Sequence, residues 1–131
     1  MINVLECVTD FPDDQIEDGD RIVQPGGRAV AFVIADLLKE YGMITTTPQL
    51  DYEHGWQFEA AQDQQLYMVQ TTDPSEQNES RMIICAEDQS PLVRRWLGRN
   101  KYNYVRFLNT LRRLLSQDKW FISVSGWESI R

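Results

Sequence analysis

Histidine occurs once in this chain, as His54, and cysteine only twice, as Cys7 and Cys85. Nucleophile–base catalysis and four-ligand zinc sites draw mainly on these residue types, so their scarcity leaves little from which to build either. The two cysteines stand far apart, each inside a run that reads as a strand. That spacing predicts two buried free thiols and a reducing, cytoplasmic setting. Long apolar runs are also missing, and nothing approaches the roughly 20 residues that cross a bilayer. The opening Met1-Ile2-Asn3-Val4-Leu5-Glu6 has neither the basic lead nor the apolar block of a secretion signal. Pro25-Gly26-Gly27 lacks the spacing and the lysine of a phosphate-binding loop, and reads instead as the entry to a helix. Finally, basic side chains are rare in the first 80 residues, where Arg21, Arg28 and Lys39 face sixteen aspartates and glutamates.

What is present is a strong separation of charge. Residues 81–131 hold ten basic side chains against four acidic, so a first part of net charge −13 precedes a last part of +6. Two regions of opposite potential bear on solubility and choice of partner, and point to electrostatic association. A pI of 4.6 opposes duplex DNA binding by the molecule as a whole. At 131 residues with 42% hydrophobic content, the chain suits a single domain over 1–131 with a core of its own.

The pattern predicts an α+β fold in the order β-α-β-β-β-β-α-β, a mainly antiparallel meander with two helices on one face. Ile2 to Val8 reads as a strand, apolar on both faces. Val30, Val33, Ile34, Leu37, Leu38 and Tyr41 form one helical stripe over 28–41, with Gly42 as the stop. Met43–Thr47, 56–61, 66–72 and 81–87 read as strands, with Trp56 in the core beside Phe58. A second helix over 102–117 places Tyr104, Phe107, Leu108, Leu111, Leu114 and Leu115 on one arc, with Arg106 and Arg113 opposite, in solvent. Trp120–Val124 closes the fold as a last strand, and Trp127 is left open between core and interface.

Catalytic and metal chemistry find few residues. Asp51, Glu53 and His54 offer a carboxylate–imidazole pair, but in a turn with no nucleophile beside it, which favours a surface histidine. Tested as a calcium loop, Asp14-x-Ile16-x-Asp18-Gly19 puts Ile16 at the third position and Pro25 where a bidentate glutamate is needed. The expectation is no metal, no cofactor and no catalytic residue.

Two surfaces remain. Within 10–20, Asp10, Asp13, Asp14, Glu17, Asp18 and Asp20 surround Phe11 and Ile16, giving steering charge with apolar anchors. A hairpin is expected at Asp18-Gly19. In the basic part, Arg94, Arg95, Trp96, Arg99, Lys101 and Arg106 interleave guanidinium and aromatic groups, the chemistry of an RNA or acidic-protein contact.

The acidic lead-in, Pro25-Gly26 before an apolar helix ending at Gly42, Glu53-His54-Gly55-Trp56-x-Phe58 opening a meander, a leucine-rich helix and a tryptophan-bearing last strand form a pattern. The pattern resembles small bacterial immunity proteins of polymorphic or contact-dependent toxin systems. That resemblance implies a non-enzymatic cytoplasmic inhibitor that occludes the active cleft of a cognate toxin. The basic C-terminal part departs from the uniformly acidic profile of such a role. The alternative is an adaptor or regulatory module binding RNA or an acidic protein through the basic patch, and the opposite charges also suit a homodimer.

Overall fold

Alternation along the first strand decides which face of the sheet is sealed. In β1 (Ile2–Thr9), Asn3, Leu5, Cys7 and Thr9 are buried, while Val4 is half-buried and Val8 exposed. The same two-residue period buries Trp56, Phe58 and Ala60 in β6 (Gly55–Gln62), Tyr67, Val69 and Thr71 in β7 (Gln65–Thr72), and Met82, Ile84 and Ala86 in β8 (Arg81–Asp88). These side chains share one face, and both helices cover it.

The computed structural model describes residues 2–11, 16–24, 26–51, 55–72, 81–90 and 99–130. Between β1 and the first helix lie β2 (Ile16–Asp18) and β3 (Arg21–Gln24), a separate two-stranded hairpin. Helix α1 (Arg28–Tyr41) is followed by the short β4 (Ile44–Thr45) and β5 (Gln49–Asp51), both paired with β6. After β8 come α2 (Arg99–Gln117) and β9 (Phe121–Ile130). The seven-stranded sheet runs β4-β6-β7-β8-β1-β9, with β5 also on β6, and every pairing is antiparallel. This is the α+β order anticipated from the pattern.

Each helix forms where its apolar spacing demands. In α1, Val30, Ile34 and Leu38 are buried, and Gly42 at φ 116° ends the helix by donating its amide to the Lys39 carbonyl at 3.1 Å. In α2, Leu111 and Leu115 are fully buried, each such burial contributing about 1.5–3 kcal/mol. Tyr67 stacks on Phe107 with centroids 4.1 Å apart, fixing α2 over β7. The Tyr104 hydroxyl lies 2.7 Å from the Ala86 carbonyl and 2.9 Å from Asn3 Oδ1, so one buried phenol joins α2, β8 and β1.

Several boundaries differ from the sequence reading, each for an identifiable reason. The last strand runs to Ile130 instead of stopping at Val124, because Gly126 at φ 89° absorbs a register shift opposite Val4–Glu6. Pairing beyond that bulge is supplied by β1, which no local pattern reveals. The strand expected over Met43–Thr47 shrinks to Ile44–Thr45 ahead of Pro48. Helix α2 begins at Arg99, three residues early. Tyr41, counted in the apolar stripe, is 41% exposed at the end of α1. Cys7 is buried as expected, whereas Cys85 is only half-buried, since it points to the face the helices leave open.

Two tight approaches lock the helix entry. Gly27, at φ 100°, has its carbonyl 3.1 Å from the Thr71 hydroxyl, which donates to it. Gly55, at φ 97°, is packed so closely on β7 that an added Cβ would lie 2.2 Å from the Thr71 carbonyl oxygen.

Candidate partner-binding surfaces

The acidic lead-in is tied to the protein at one end of the sheet. Asp10 donates its amide to the Trp120 carbonyl at 2.8 Å, and the Phe11 ring stacks on Trp120 with centroids 5.0 Å apart. Phe11 also meets Phe121 edge-on at 5.7 Å. It is half-buried, so part of its ring packs on the fold.

Past that anchor, the expected hairpin is present. Asp18 pairs with Arg21 across a two-residue turn, and Gly19 at φ 63° supplies the conformation that the turn requires. Asp18 and Asp20 are exposed at this tip, and Asp10 is exposed at its base. Ile16 and Glu17 lie in β2. Asp13 and Asp14 lie outside the described residues, as do Glu53, His54, Arg94, Arg95 and Trp96. Arg99 and Lys101 fall in the first turn of α2, and Arg106 is exposed on its third.

The second surface is one the sequence reading saw only in part. Helix α2 has no acidic residue from Arg99 to Gln117. Tyr102, Arg106, Asn109 and Arg113 are all exposed, and their spacing of i, i+4, i+7 and i+11 makes a single outer stripe. Val105 and Arg112 flank the stripe and are exposed as well.

Where this stripe faces the end of α1, two clefts adjoin, of about 160 and 420 Å³. They share Tyr41, Arg106 and Thr110. The inner one is closed by Gln62, Asp63 and Gln65 of the β6–β7 turn, in which Asp63 and Gln64 both adopt positive φ as a two-residue hairpin demands. The outer one is rimmed by Tyr102, Val105 and Arg113.

Cations dominate this groove. The Arg113 guanidinium carbon lies 5.9 Å from the Tyr41 ring centroid. The Tyr41 phenol titrates below its ordinary value because the Thr110 hydroxyl, then Arg113, hydrogen-bonds its oxygen, with the charges of Arg113 and Arg106 adding to the effect. Among the described residues no carboxylate pairs with Arg106, Arg112 or Arg113; the ion pair found there is Arg81 with Glu6, on the open face of the sheet.

Other candidate residues have structural roles. Trp56 is buried, with the Arg28 guanidinium 5.8 Å from its ring. Trp127, half-buried, donates its indole N–H to the Leu108 carbonyl at 3.0 Å and so pins β9 to α2. Burial pushes the Cys7 thiol up to about 12, which makes it inert near neutrality. Among the described residues no group of three His, Cys, Asp or Glu side chains is placed to hold a metal ion. No helix there is long and apolar enough to cross a membrane.

Tyr41 and Arg113 complete the groove, and the sequence reading did not assign them to a site. The available signal was the outer stripe of α2, which is free of acids over nineteen residues. Tyr41 gave none, because its spacing also fits the core stripe. No family model matches the chain, and no curated protein matches it in sequence.

Proposed function

We infer that this chain is a non-enzymatic protein-binding protein, an immunity-type inhibitor that neutralises a toxin-like partner by laying its acidic hairpin into a basic cleft. What carries this reading is that exposed carboxylates at and beside the hairpin are left without a cationic partner among the described residues. Asp10, Asp18 and Asp20 are exposed, and among the described residues none of them forms an ion pair. The hairpin that carries Asp18 and Asp20 pairs, among the described residues, with no strand of the main sheet. Exposed, unpaired carboxylates on a short ordered turn keep their full field for a partner, which raises association rate more than it raises final affinity.

The test is capture of a partner from native lysate by the immobilised chain and by its Asp10→Lys/Asp18→Lys/Asp20→Lys variant. A protein held by the first and lost by the second, with an association rate that falls as salt rises, is the expected result. Equal retention by both baits removes the hairpin from the contact.

A second reading, an adaptor that binds RNA or an acidic protein, is favoured by the groove itself. Arginine and tyrosine are the residue types that dominate binding energy at protein interfaces, and Arg106, Arg113, Tyr41 and Tyr102 bring them together on one exposed surface.

A further inference from the structure

The segment that carries the acidic hairpin is anchored at one end of the sheet, and the inner cleft of the groove lies at the other. Phe11 on Trp120 and the Gly27 carbonyl on Thr71 hold the two ends of the segment that contains β2 and β3. Both anchors lie where β1 ends and β7 ends. The inner cleft of the groove lies at the start of β7, against Gln65, and α2 is fixed there by Tyr104 on Asn3 and Ala86. Six residues of β7 separate Gln65 from Thr71, roughly 20 Å at strand rise.

Between two chains the same arrangement is complementary. From these placements we propose that the cationic groove is the docking site for the acidic hairpin of a second copy of this chain, in a reciprocal two-fold dimer. In a two-fold dimer each acidic tip meets the other chain's cationic groove, and the closed symmetry uses both contacts at once. Asp18 and Asp20 flank a single glycine at the tip, and Arg106 and Arg113 stand two helical turns apart, about 10 Å. Two carboxylates on a narrow turn thus meet two guanidinium groups that other described carboxylates leave unpaired. Tyr41, Tyr102 and Val105, all exposed, add the apolar contact that ion pairs in water lack. Asp63 on the groove wall disfavours a continuous polyanion such as RNA, whose phosphates cannot avoid it, while a tip carrying two acids can.

The dimer rests on the hairpin being exposed, as does the inhibitor reading, and it adds a regulation: self-association hides the hairpin until a more basic cleft competes for it. Sedimentation of the full chain separates the two ideas. The wild-type chain should run at twice its 15.3 kDa in about 50 mM salt and as a single chain in about 500 mM. Arg106→Glu/Arg113→Glu and Asp18→Lys/Asp20→Lys should each stay single at both salts. All four positions are exposed, so unchanged circular dichroism verifies their folds. An equimolar mixture of the two variants should recover the dimer, since each hairpin then meets a groove of opposite sign. A wild-type chain that stays single at low salt overturns the proposal, as does a dimer insensitive to both substitutions, or a mixture that stays single. Poly-uridine binding to the wild-type groove that persists through dimer-forming conditions overturns it in favour of RNA. Partner capture by the Arg106→Glu/Arg113→Glu chain tests the inhibitor reading alone, whichever way sedimentation falls.

Discussion

Arg113 sits with its guanidinium carbon 5.9 Å from the centre of the Tyr41 ring, joining the outer face of α2 to the last turn of α1. This contact lies in the groove between the two helices, which Tyr41, Arg106 and Thr110 line. Its signature is a phenol more acidic than usual. Replacing Thr110 by valine or Arg113 by alanine removes a donor to the phenolate and should raise the Tyr41 pKa toward the ordinary 10. Ultraviolet titration at alkaline pH, with Tyr41→Phe to assign the transition, measures this. A titration unchanged in both variants refutes the contact.

Alkaline pH should weaken the fold. Burial raises Cys7 to about 12 from 9.0, and Tyr67 to about 12 from 10.0, by desolvation first and the nearby charge of Asp88 second. From about pH 9 upward the unfolded chain therefore releases protons that the folded chain retains, and stability falls with rising pH until both states are ionised. Below pH 9 these groups are neutral in either state and contribute no pH dependence. Thermal melts between pH 8 and 11 should show a falling midpoint for the wild type, with a shallower slope for Cys7→Ala.

Gly55→Ala should cost about 3 kcal/mol, from a backbone conformation closed to alanine and a Cβ driven against the Thr71 carbonyl oxygen at 2.2 Å. Urea unfolding reads the loss directly. Gly19→Ala, whose Cβ would meet nothing within 4 Å, carries only the conformational part, about 1 kcal/mol. The contrast between the two separates crowding from conformation. Equal losses would mean the close approach of β6 to β7 is not as described.

Phe11 distinguishes a structural ring from a binding one. Stacked on Trp120 and set against Phe121, it should cost about 2 kcal/mol of stability when cut to alanine, in keeping with lost burial and ring contacts. If Phe11→Ala leaves unfolding unchanged but abolishes partner capture, its ring belongs to the interface after all.

Much of this architecture was readable residue by residue. The stripe from Val30 to Leu38, the stop at Gly42 and the arc from Tyr104 to Leu115 are local, because a 3.6-residue period and a terminal glycine act within one helix. The meander over β6, β7 and β8 was equally plain from two-residue alternation. What local pattern missed depends on distant neighbours. The extension of β9 past Gly126 exists because β1 offers a free edge there, and Phe11 is held because Trp120 arrives from more than a hundred residues away.

The candidate site divides in the same way. Acid crowding before α1 and its absence along α2 are properties of composition, visible without coordinates, and they determined that this molecule would carry two separated charges. Whether those charges cancel is a matter of distance, because attraction between solvated groups is screened over about 8 Å at physiological salt. Only the tertiary structure bears on that, by tying the acidic segment to Trp120 and Thr71, leaving Asp18 and Asp20 exposed, and seating Tyr41 beside Arg113. Side-chain order along the chain set the kinds of surface; strand pairing and helix placement set which of their residues stay exposed.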